Sequence, residues 1–310
     1  MRFRLEPADA TGAVELVATH DGAIRARATL YEAPDLVGAP GPSGLVGAYA
    51  ADDTGAGRLL LEEACRHFAD RGARRVLGPM DGSTWHAYRL VLPPGEQPDP
   101  PGGIAWSSFP GEPVNPPDAA DAWRAAGLSI VARYESSVVL DLAAVAHAPP
   151  GPPEGVRLRP LALENFDEEL DVLFAVSRRG FAQNPYYAPI GRTEFRSLYL
   201  PLRPLVDPAF VEIAEDDTGH LLGFLLCYAW PGATVGSRPV LIAKTIAVVP
   251  EARGRGLGGL LFVRAHARAL ERGYGAVVHA LMHVANVSTH FSADQKARPF
   301  RRYALFGRIL

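Results

Sequence analysis

Residues 241–273 read LIAKTIAVVPEARGRGLGGLLFVRAHARALERG. An apolar strand gives way to a loop with glycines at 254, 256, 258 and 259, and an amphipathic helix starts there. A strand that feeds a glycine-rich turn and then a helix can bind phosphate. Glycine lets the backbone approach the anion, and the first helical N–H groups have no intrahelical acceptor. Arg253 and Arg255 add positive charge at that point. The stretch reads as the ligand-binding centre of the chain.

Three phosphate-binding patterns compete for it. A Walker A loop needs Lys followed by Ser or Thr after its last glycine, and here Leu260 and Leu261 follow Gly259. The dinucleotide pattern G-x-G-x-x-G is met by Gly254, Gly256 and Gly259. Its context is wrong, however, because Pro250–Arg253 separates the strand from the first glycine. No acidic residue stands about 20 residues on to hold a ribose, since the next strand ends at His279–His283.

The third pattern fits. Val248-Val249-Pro250-Glu251-Ala252-Arg253-Gly254-Arg255-Gly256-Leu257-Gly258 resembles the acyl-coenzyme A signature of the GNAT acyltransferase superfamily. The signature has Arg or Gln, two residues, Gly, one residue, then Gly or Ala, after a strand ending in Val-x-Pro. Arg253, Gly256 and Gly258 supply it, and the elements expected over 156–310 follow the family's order. The resemblance implies acetyl-CoA as co-substrate, with no metal, and direct attack of an amine on the thioester. Backbone groups of Ile246 and Val248 would pair with the pantetheine arm. The amides of Arg253, Gly254, Arg255, Gly256, Leu257, Gly258 and Gly259 would hold the pyrophosphate, and Asn286 would touch the arm from the other side.

The chain departs from the family where chemistry is done. Many members carry a Glu or Asp as general base four residues before the Val, and that position is Lys244. A Tyr about seven residues after the Asn often protonates the thiolate, and here Ala293 is found. Strand parity puts Lys244 with Ile246 and Val248. A desolvated lysine there can bind a substrate carboxylate or, with a lowered pKa, act as base; the plain alternative is a lysine paired with a carboxylate such as Glu212 or reaching outward. His279 and His283, four apart in a strand, lie about 13 Å apart by rise, too far to share a metal. His283 is the nearer to the reacting end and a second base candidate. Tyr303 is a candidate acid, with a packed strand tyrosine as its plain reading. Tyr186, Tyr187, Arg192, Arg196 and Arg203 lie where family members shape the acceptor site, and suggest an anionic or aromatic acceptor.

Around this centre the chain reads as α/β (α+β). A first half at 1–142 contains two strands joined by a turn within 1–37, a helix at about 58–71, a strand at ARRVLGPM, a short helix around Ala119–Ala126 and a strand at Ile130–Leu142. Residues 93–117 are dense in proline, as in a loop that lines a site or packs on the surface. Residues 143–155 read as a stiff linker. The second half, 156–310, has a strand at VRLRPL, a helix from Leu163 to about Phe181, a hairpin turning at Asp-Asp-Thr-Gly, the opening stretch, and strands at AVVHALMHV and YALFGRIL. Sliding the chain by 201 residues aligns positions 55–76 with 256–277, with eight identities, where roughly two are expected by chance. The halves thus read as a tandem duplication, each a mixed, mostly antiparallel twisted sheet flanked by helices. Asp52 replaces Arg253 in the first copy, so that half is expected to be a degenerate scaffold.

Composition sets the class. The 310 residues are 48% hydrophobic and 21% charged, as in a globular protein. A net charge of −3 argues against nucleic acid as a partner. No run of 18 apolar residues indicates a membrane span, and the N-terminus MRFRLEP lacks the apolar segment of a secretory signal, so a cytoplasmic location is expected. Cys65 and Cys227 sit in separate apolar runs, as small buried hydrophobes do. The sequence therefore predicts a GNAT-type N-acetyltransferase whose acceptor is an amine of a small molecule or peptide. The alternative is a non-catalytic acyl-CoA-binding protein of the same fold.

Overall fold

In the first half, Asp21 and Gly22 both have positive φ (50° and 82°). Two such residues make the turn whose twist matches that of the flanking strands. They join β2 (Val14–His20) to β3 (Ala23–Ala33). The structure is a computed structural model and describes residues 1–8, 12–33, 35–146, 149–286 and 288–310. β1 (Arg2–Pro7) pairs outside β2 and is almost wholly exposed, so it lacks the one-faced apolar pattern that marks a strand in sequence. β4 (Ser43–Ala51) is rich in Gly and Ala. Its small residues have a packing reason: a Cβ on Gly44 would come within 2.2 Å of the Phe68 ring. Phe68 belongs to α1 (Thr54–Asp70), which buries Leu60, Leu61, Ala64, Cys65 and Phe68.

β5 (Arg75–Gly78), the short β6 (Leu90–Val91), α2 (Ala119–Ala125) and β7 (Ser129–Val139) complete the first half. Residues 143–155 contain no helix or strand among those described, and His147 and Ala148 of this expected linker lie outside the described residues. The second half contains β8 (Val156–Pro160), α3 (Phe166–Phe181), α4 (Arg192–Tyr199), β9 (Val211–Asp216) and β10 (Leu221–Val235). It continues through β11 (Arg238–Val248), α5 (Leu257–Glu271), β12 (Ala276–His283), α6 (Ser288–Asp294) and β13 (Arg298–Ile309). α4 has a single buried residue, Phe195, among mostly polar ones, which is too little periodicity to be read beforehand.

The α/β architecture is as expected, with helices flanking a mixed sheet. The sheets of the two halves are joined into one, in the order β1-β2-β3-β4-β5-β13-β7-β12-β11-β10-β9-β8. At the join the last strand of each half lies in the other's territory. β13 runs antiparallel to β5 of the first half, β7 runs antiparallel to β12 of the second, and β13 and β7 pair with each other. One cluster of buried apolar residues surrounds α3 and α5, and another surrounds α1 and α2 and includes Ala304 and Phe306 of β13.

Candidate functional site

β11 and β12 are parallel neighbours over only four residue pairs, Val240 with Ala276 through Ala243 with His279. Both strands then lose register with their other neighbours. On β11, Thr245 pairs with Leu226 and Ala243 with Cys227, so Lys244 is the extra residue of a bulge. On β12 the register to β7 shifts between His279 and Met282, where Leu281 has φ 57°. The freed backbone of Leu281 is satisfied from the side: its N–H donates to Ser136 Oγ at 3.1 Å, and its carbonyl accepts from Arg89 Nη1 at 3.0 Å. The two bulges open a wedge whose β11 edge, from Lys244 through Ile246 to Val248, has no ladder partner on β12.

The equivalent place in the first half is closed. β4 and β5 pair in parallel from Ser43 with Arg75 to Leu45 with Leu77. Beyond that, Met80 N–H donates to Val46 O at 2.9 Å and Ala48 N–H to Asp81 Oδ1 at 2.7 Å. A Cβ on Gly47 would lie 2.3 Å from Asp81 Oδ1, so glycine is what lets the two segments close up.

The helix starts differ in the same sense. α5 begins at Gly256, whose φ of 75° is left-handed and which offers no side chain to the first turn. The amides of Leu257, Gly258 and Gly259 are left free for an anion, while Leu260 N–H already bonds Gly256 O. In α1 the carboxylate of Asp53 takes that place, accepting from Ala56 N–H at 2.8 Å. The arginines of the loop are engaged elsewhere. Arg253 donates to Gly180 O (2.7 Å) and Gln183 Oε1 (3.1 Å), capping the C-terminus of α3, and Arg255 donates to Glu154 O (2.7 Å). Both side chains are thus engaged within the protein, and the part of the loop left open is its backbone. α6 follows Asn286 and lays Phe291 on the first turn of α5, where a Cβ on Gly258 would meet its ring at 2.6 Å.

At the head of the wedge, Lys244 is half-buried and donates to Gly111 O at 3.4 Å, in the proline-rich loop of the first half. Glu212, the carboxylate suggested as its partner, is bound instead by Arg264 and Arg268. Burial, helped by the nearby charge of Arg89 and opposed by Glu112, lowers the Lys244 pKa to about 8. Glu112 is the buried acid of this region. Its carboxylate accepts from Arg301, Tyr303 Oη and the Phe109 N–H, and burial pushes its pKa up. The Pro110 carbonyl beside it accepts from Tyr228 Oη at 2.6 Å.

Arg89 also enters from the first half. It is 7% exposed, and its φ of 74° is left-handed, a conformation that costs a non-glycine residue about 1 kcal/mol or more. Its guanidinium sits 3.6 Å from the Tyr88 ring centroid and 4.3 Å from that of Tyr134.

The remaining candidates behave as structural groups. Tyr303 is fully buried, bonded to Glu112 and to Ser136 Oγ (2.9 Å), and burial followed by the Glu112 charge drives its pKa far up. His283 Nδ1 accepts from Ala285 N–H at 3.1 Å, so the lone pair that a base needs is occupied. Burial and Arg89 hold its pKa down. His279 is a core residue: its Nε2 meets His266 Nε2 at 3.0 Å and its Nδ1 meets Ser292 Oγ at 2.7 Å. Two of the acceptor-site arginines also turn elsewhere, since Arg192 and Arg196 pair with Asp171 and Asp167 and fasten α4 to α3. Tyr187 Oη bonds Arg178 O (3.4 Å), and Arg203 lies over the Phe166 ring. Tyr186 packs in the cluster that includes Tyr134, Tyr303 and Leu281.

Sequence reasoning passed over Arg89 and Glu112. The dense prolines of 93–117 signalled a loop against a site, though not which residue it delivers, and nothing in the sequence around Arg89 marks it.

Residues 181–291 match the Acetyltransferase (GNAT) family. Among solved structures, the chain resembles a GCN5-related N-acetyltransferase from Sphaerobacter thermophilus, with 17% identity, a TM-score of 0.52, and 96% of this chain and 80% of that one covered. It likewise resembles a tandem GNAT protein from the clavulanic acid biosynthesis pathway, with 17% identity, a TM-score of 0.52 and coverage of 96% and 82%. A conserved Enterococcus faecalis protein described as a probable N-acyltransferase aligns at 9% identity with a TM-score of 0.55, covering 96% of this chain and 63% of that one. At these identities the likeness is one of fold. No curated protein matches the chain in sequence.

Proposed function

Residues 181–291 match the GNAT family and the fold is that of tandem GNAT proteins, and from that premise we propose that the chain is a two-domain member of that superfamily and transfers an acetyl or other short acyl group from acyl-CoA to an amine by direct attack. The observation that carries this reading is the wedge. β11 and β12 part after Ala243 and His279, and the free β11 edge leads to the uncapped start of α5. An extended pantetheine arm fits beside such an edge as an added strand, with its pyrophosphate on the amides of Leu257, Gly258 and Gly259. The site is single, because the wedge of the first half is stitched shut and its helix start is occupied by Asp53. The cut into 1–142 and 156–310 is part of this reading, as a division of labour between a walling half and a binding half.

Lys244 stands at the head of the wedge and is the base we assign. An attacking amine arrives as an ammonium, and a neutral lysine can take its proton. A pKa of about 8 leaves a useful neutral fraction near neutral pH, which an ordinary lysine lacks. Tyr303 and His283 are less suited, because their hydroxyl and ring nitrogen are engaged within the protein. Calorimetric titration with acetyl-CoA, followed by CoA release over a panel of amines, tests the proposal. Binding at one site per chain with amine-dependent CoA release is expected. Absence of binding overturns the reading, and binding without CoA release supports a non-catalytic acyl-CoA-binding protein instead.

A further inference from the structure

We propose that Arg89 is the anchor for a carboxylate on the acceptor, so that the acceptor is an amine bearing a carboxylate, in the manner of an amino acid. The inference rests on the acyl-transfer reading of the same cleft and names the substrate class for it. It begins from an unmet charge. Three other shielded arginines of this protein are matched by carboxylates: Arg301 by Glu112, Arg159 by Glu169 and Glu215, and Arg264 by Glu212. Among the described residues, no carboxylate lies within ion-pair distance of Arg89, although it is only 7% exposed. A buried guanidinium without a counter-charge is costly, and the cost falls when an anion arrives.

The orientation is equally specific. Nη1 is used by Leu281 O at 3.0 Å, at the point where β12 leaves β11, whereas Nε is buried and has no protein acceptor. The Nε and Nη2 hydrogens form the side-on fork that matches the two oxygens of a carboxylate. The fork is held rigid by the rings of Tyr88 and Tyr134 and by a left-handed backbone that only a well-determined site sustains. The carbonyl of Leu281 alone does not call for a guanidinium, since a neutral donor would satisfy it.

Arg89 is fixed beside the head of the wedge by its bond to Leu281 O at 3.0 Å and by the Tyr134 ring, which stands 5.0 Å from that of His283, and its charge lowers the pKa of both Lys244 and His283. The titratable groups it touches or acts on are Tyr88, Tyr134, Lys244 and His283, none of them acidic, and the acid that acts on Lys244 is Glu112. Glu112 is held by Arg301 and Tyr303. A bound carboxylate on Arg89 would leave the acceptor's amino group near Lys244, which takes the proton as the nitrogen attacks the thioester carbon. The new C–N bond replaces the C–S bond, CoA leaves as the thiolate, and the second proton shed by the former ammonium nitrogen goes to that thiolate.

The test compares amino acids with their carboxamides, which keep the amine and lose the charge, in acetyl-CoA-dependent CoA release. The expected result is a kcat/KM at least tenfold higher for the best carboxylate acceptor than for its carboxamide. In Arg89→Met this ratio should fall to about one through a rise in KM, and Arg89→Lys should restore part of it. A variant that lowers both series alike and keeps the ratio assigns Arg89 a structural role and overturns the proposal. A second measurement does not need turnover: titration of the unmodified protein with N-acetyl amino acids and with their methyl esters. Preference for the free acids, lost in Arg89→Met, is expected even if acyl transfer fails. Equal affinity for acids and esters overturns the proposal while leaving acyl transfer standing.

Discussion

Lys244 Nζ, on β11 of the second half, donates to the carbonyl oxygen of Gly111, 3.4 Å away in the proline-rich loop of the first. Gly111 has φ 76°, and a Cβ there would stand 3.3 Å from the ammonium, so a glycine lets the loop come this close. On the acyl-transfer reading, the contact lets the half without an open wedge shape the chemistry of the other. It sets the loop against the lysine, with Glu112 next in the chain, and the charge of Glu112 is felt at Lys244.

This relationship predicts a pH profile. The Lys244 pKa is lowered, from 10.5 to about 8, so its neutral form gains as pH rises through 8. With Lys244 as base, kcat/KM should climb with pH and level off above about 8. Lys244→Met should remove the rise and lower kcat/KM by about 10²-fold or more, with acetyl-CoA affinity kept. A profile of unchanged shape in the variant would assign the proton transfer to another group.

The strand exchange predicts that the halves do not survive separation. β13 is flanked by β5 and β7, and its Tyr303, Ala304, Leu305 and Phe306 are fully buried. Removing it leaves two unpaired strand edges in the centre of the sheet and strips apolar cover from α1 and α2. Expressed alone, 1–148 and 149–310 should be aggregated or unfolded by circular dichroism and gel filtration, while co-expression should recover a 1:1 complex. Two independently folded, monomeric halves would contradict the exchange.

Legibility in the sequence followed local chemistry. Gly254, Gly256 and Gly258 announced a tight turn into a helix because each carries its own conformational signal, and the Val-x-Pro before them fixed the strand. The helices α1, α3 and α5 were readable from their one-sided apolar spacing. What could not be read depends on distant pairing. β13 ends beside β5 because of sheet topology, and a bulge at Lys244 is set by its neighbour β10, not by its own residues. Arg89 reaches Leu281 across 192 positions of sequence. The charge reversal noted at Asp52 fell one residue short, since the carboxylate at the start of α1 is that of its neighbour Asp53.

Asp53 offers a control on that comparison. Replacing it with Ala removes the α1 cap and its bond to Arg25, and should lower stability. Acetyl-CoA affinity and the stoichiometry of one should stay unchanged, as measured by denaturant melts and calorimetry. A second acetyl-CoA bound by Asp53→Ala would show instead that the first half retains a site.

The His266–His279 pair should make the fold acid-sensitive. His266 is pushed to about 4 and His279 well below its usual value, chiefly by burial. Both folded values lie below the unfolded one near 6.5, so the stabilisation is complete above pH 6.5 and is lost as pH falls towards 4. For His266 alone the loss amounts to about 3 kcal/mol. Melting temperature should therefore be flat above pH 6.5 and drop below it, and the double variant His266→Leu, His279→Leu should show a shallower drop from a lower start. An equal slope in both proteins would place the acid sensitivity elsewhere.

Adjacent glycines at the start of α5 give the sharpest structural test. A Cβ at Gly258 would stand 2.6 Å from Phe291 Cε2 and 3.1 Å from Cζ, whereas one at Gly259 would stand 3.8 Å from the same ring, an ordinary contact. Gly→Ala within a helix is worth up to about 1 kcal/mol in favour of the folded state. Gly259→Ala should thus hold or raise stability, while Gly258→Ala should lower it, because Phe291 must leave its seat against α5 and take α6 with it. The same displacement moves the segment after Asn286 away from the wedge, so Gly258→Ala should also weaken acetyl-CoA binding. Any loss of affinity in Gly259→Ala would instead come from a methyl group beside its own amide, with stability intact. Thermal melts with and without acetyl-CoA separate the two cases, and a Gly258→Ala protein as stable as the unmodified one would place Phe291 elsewhere than on this turn.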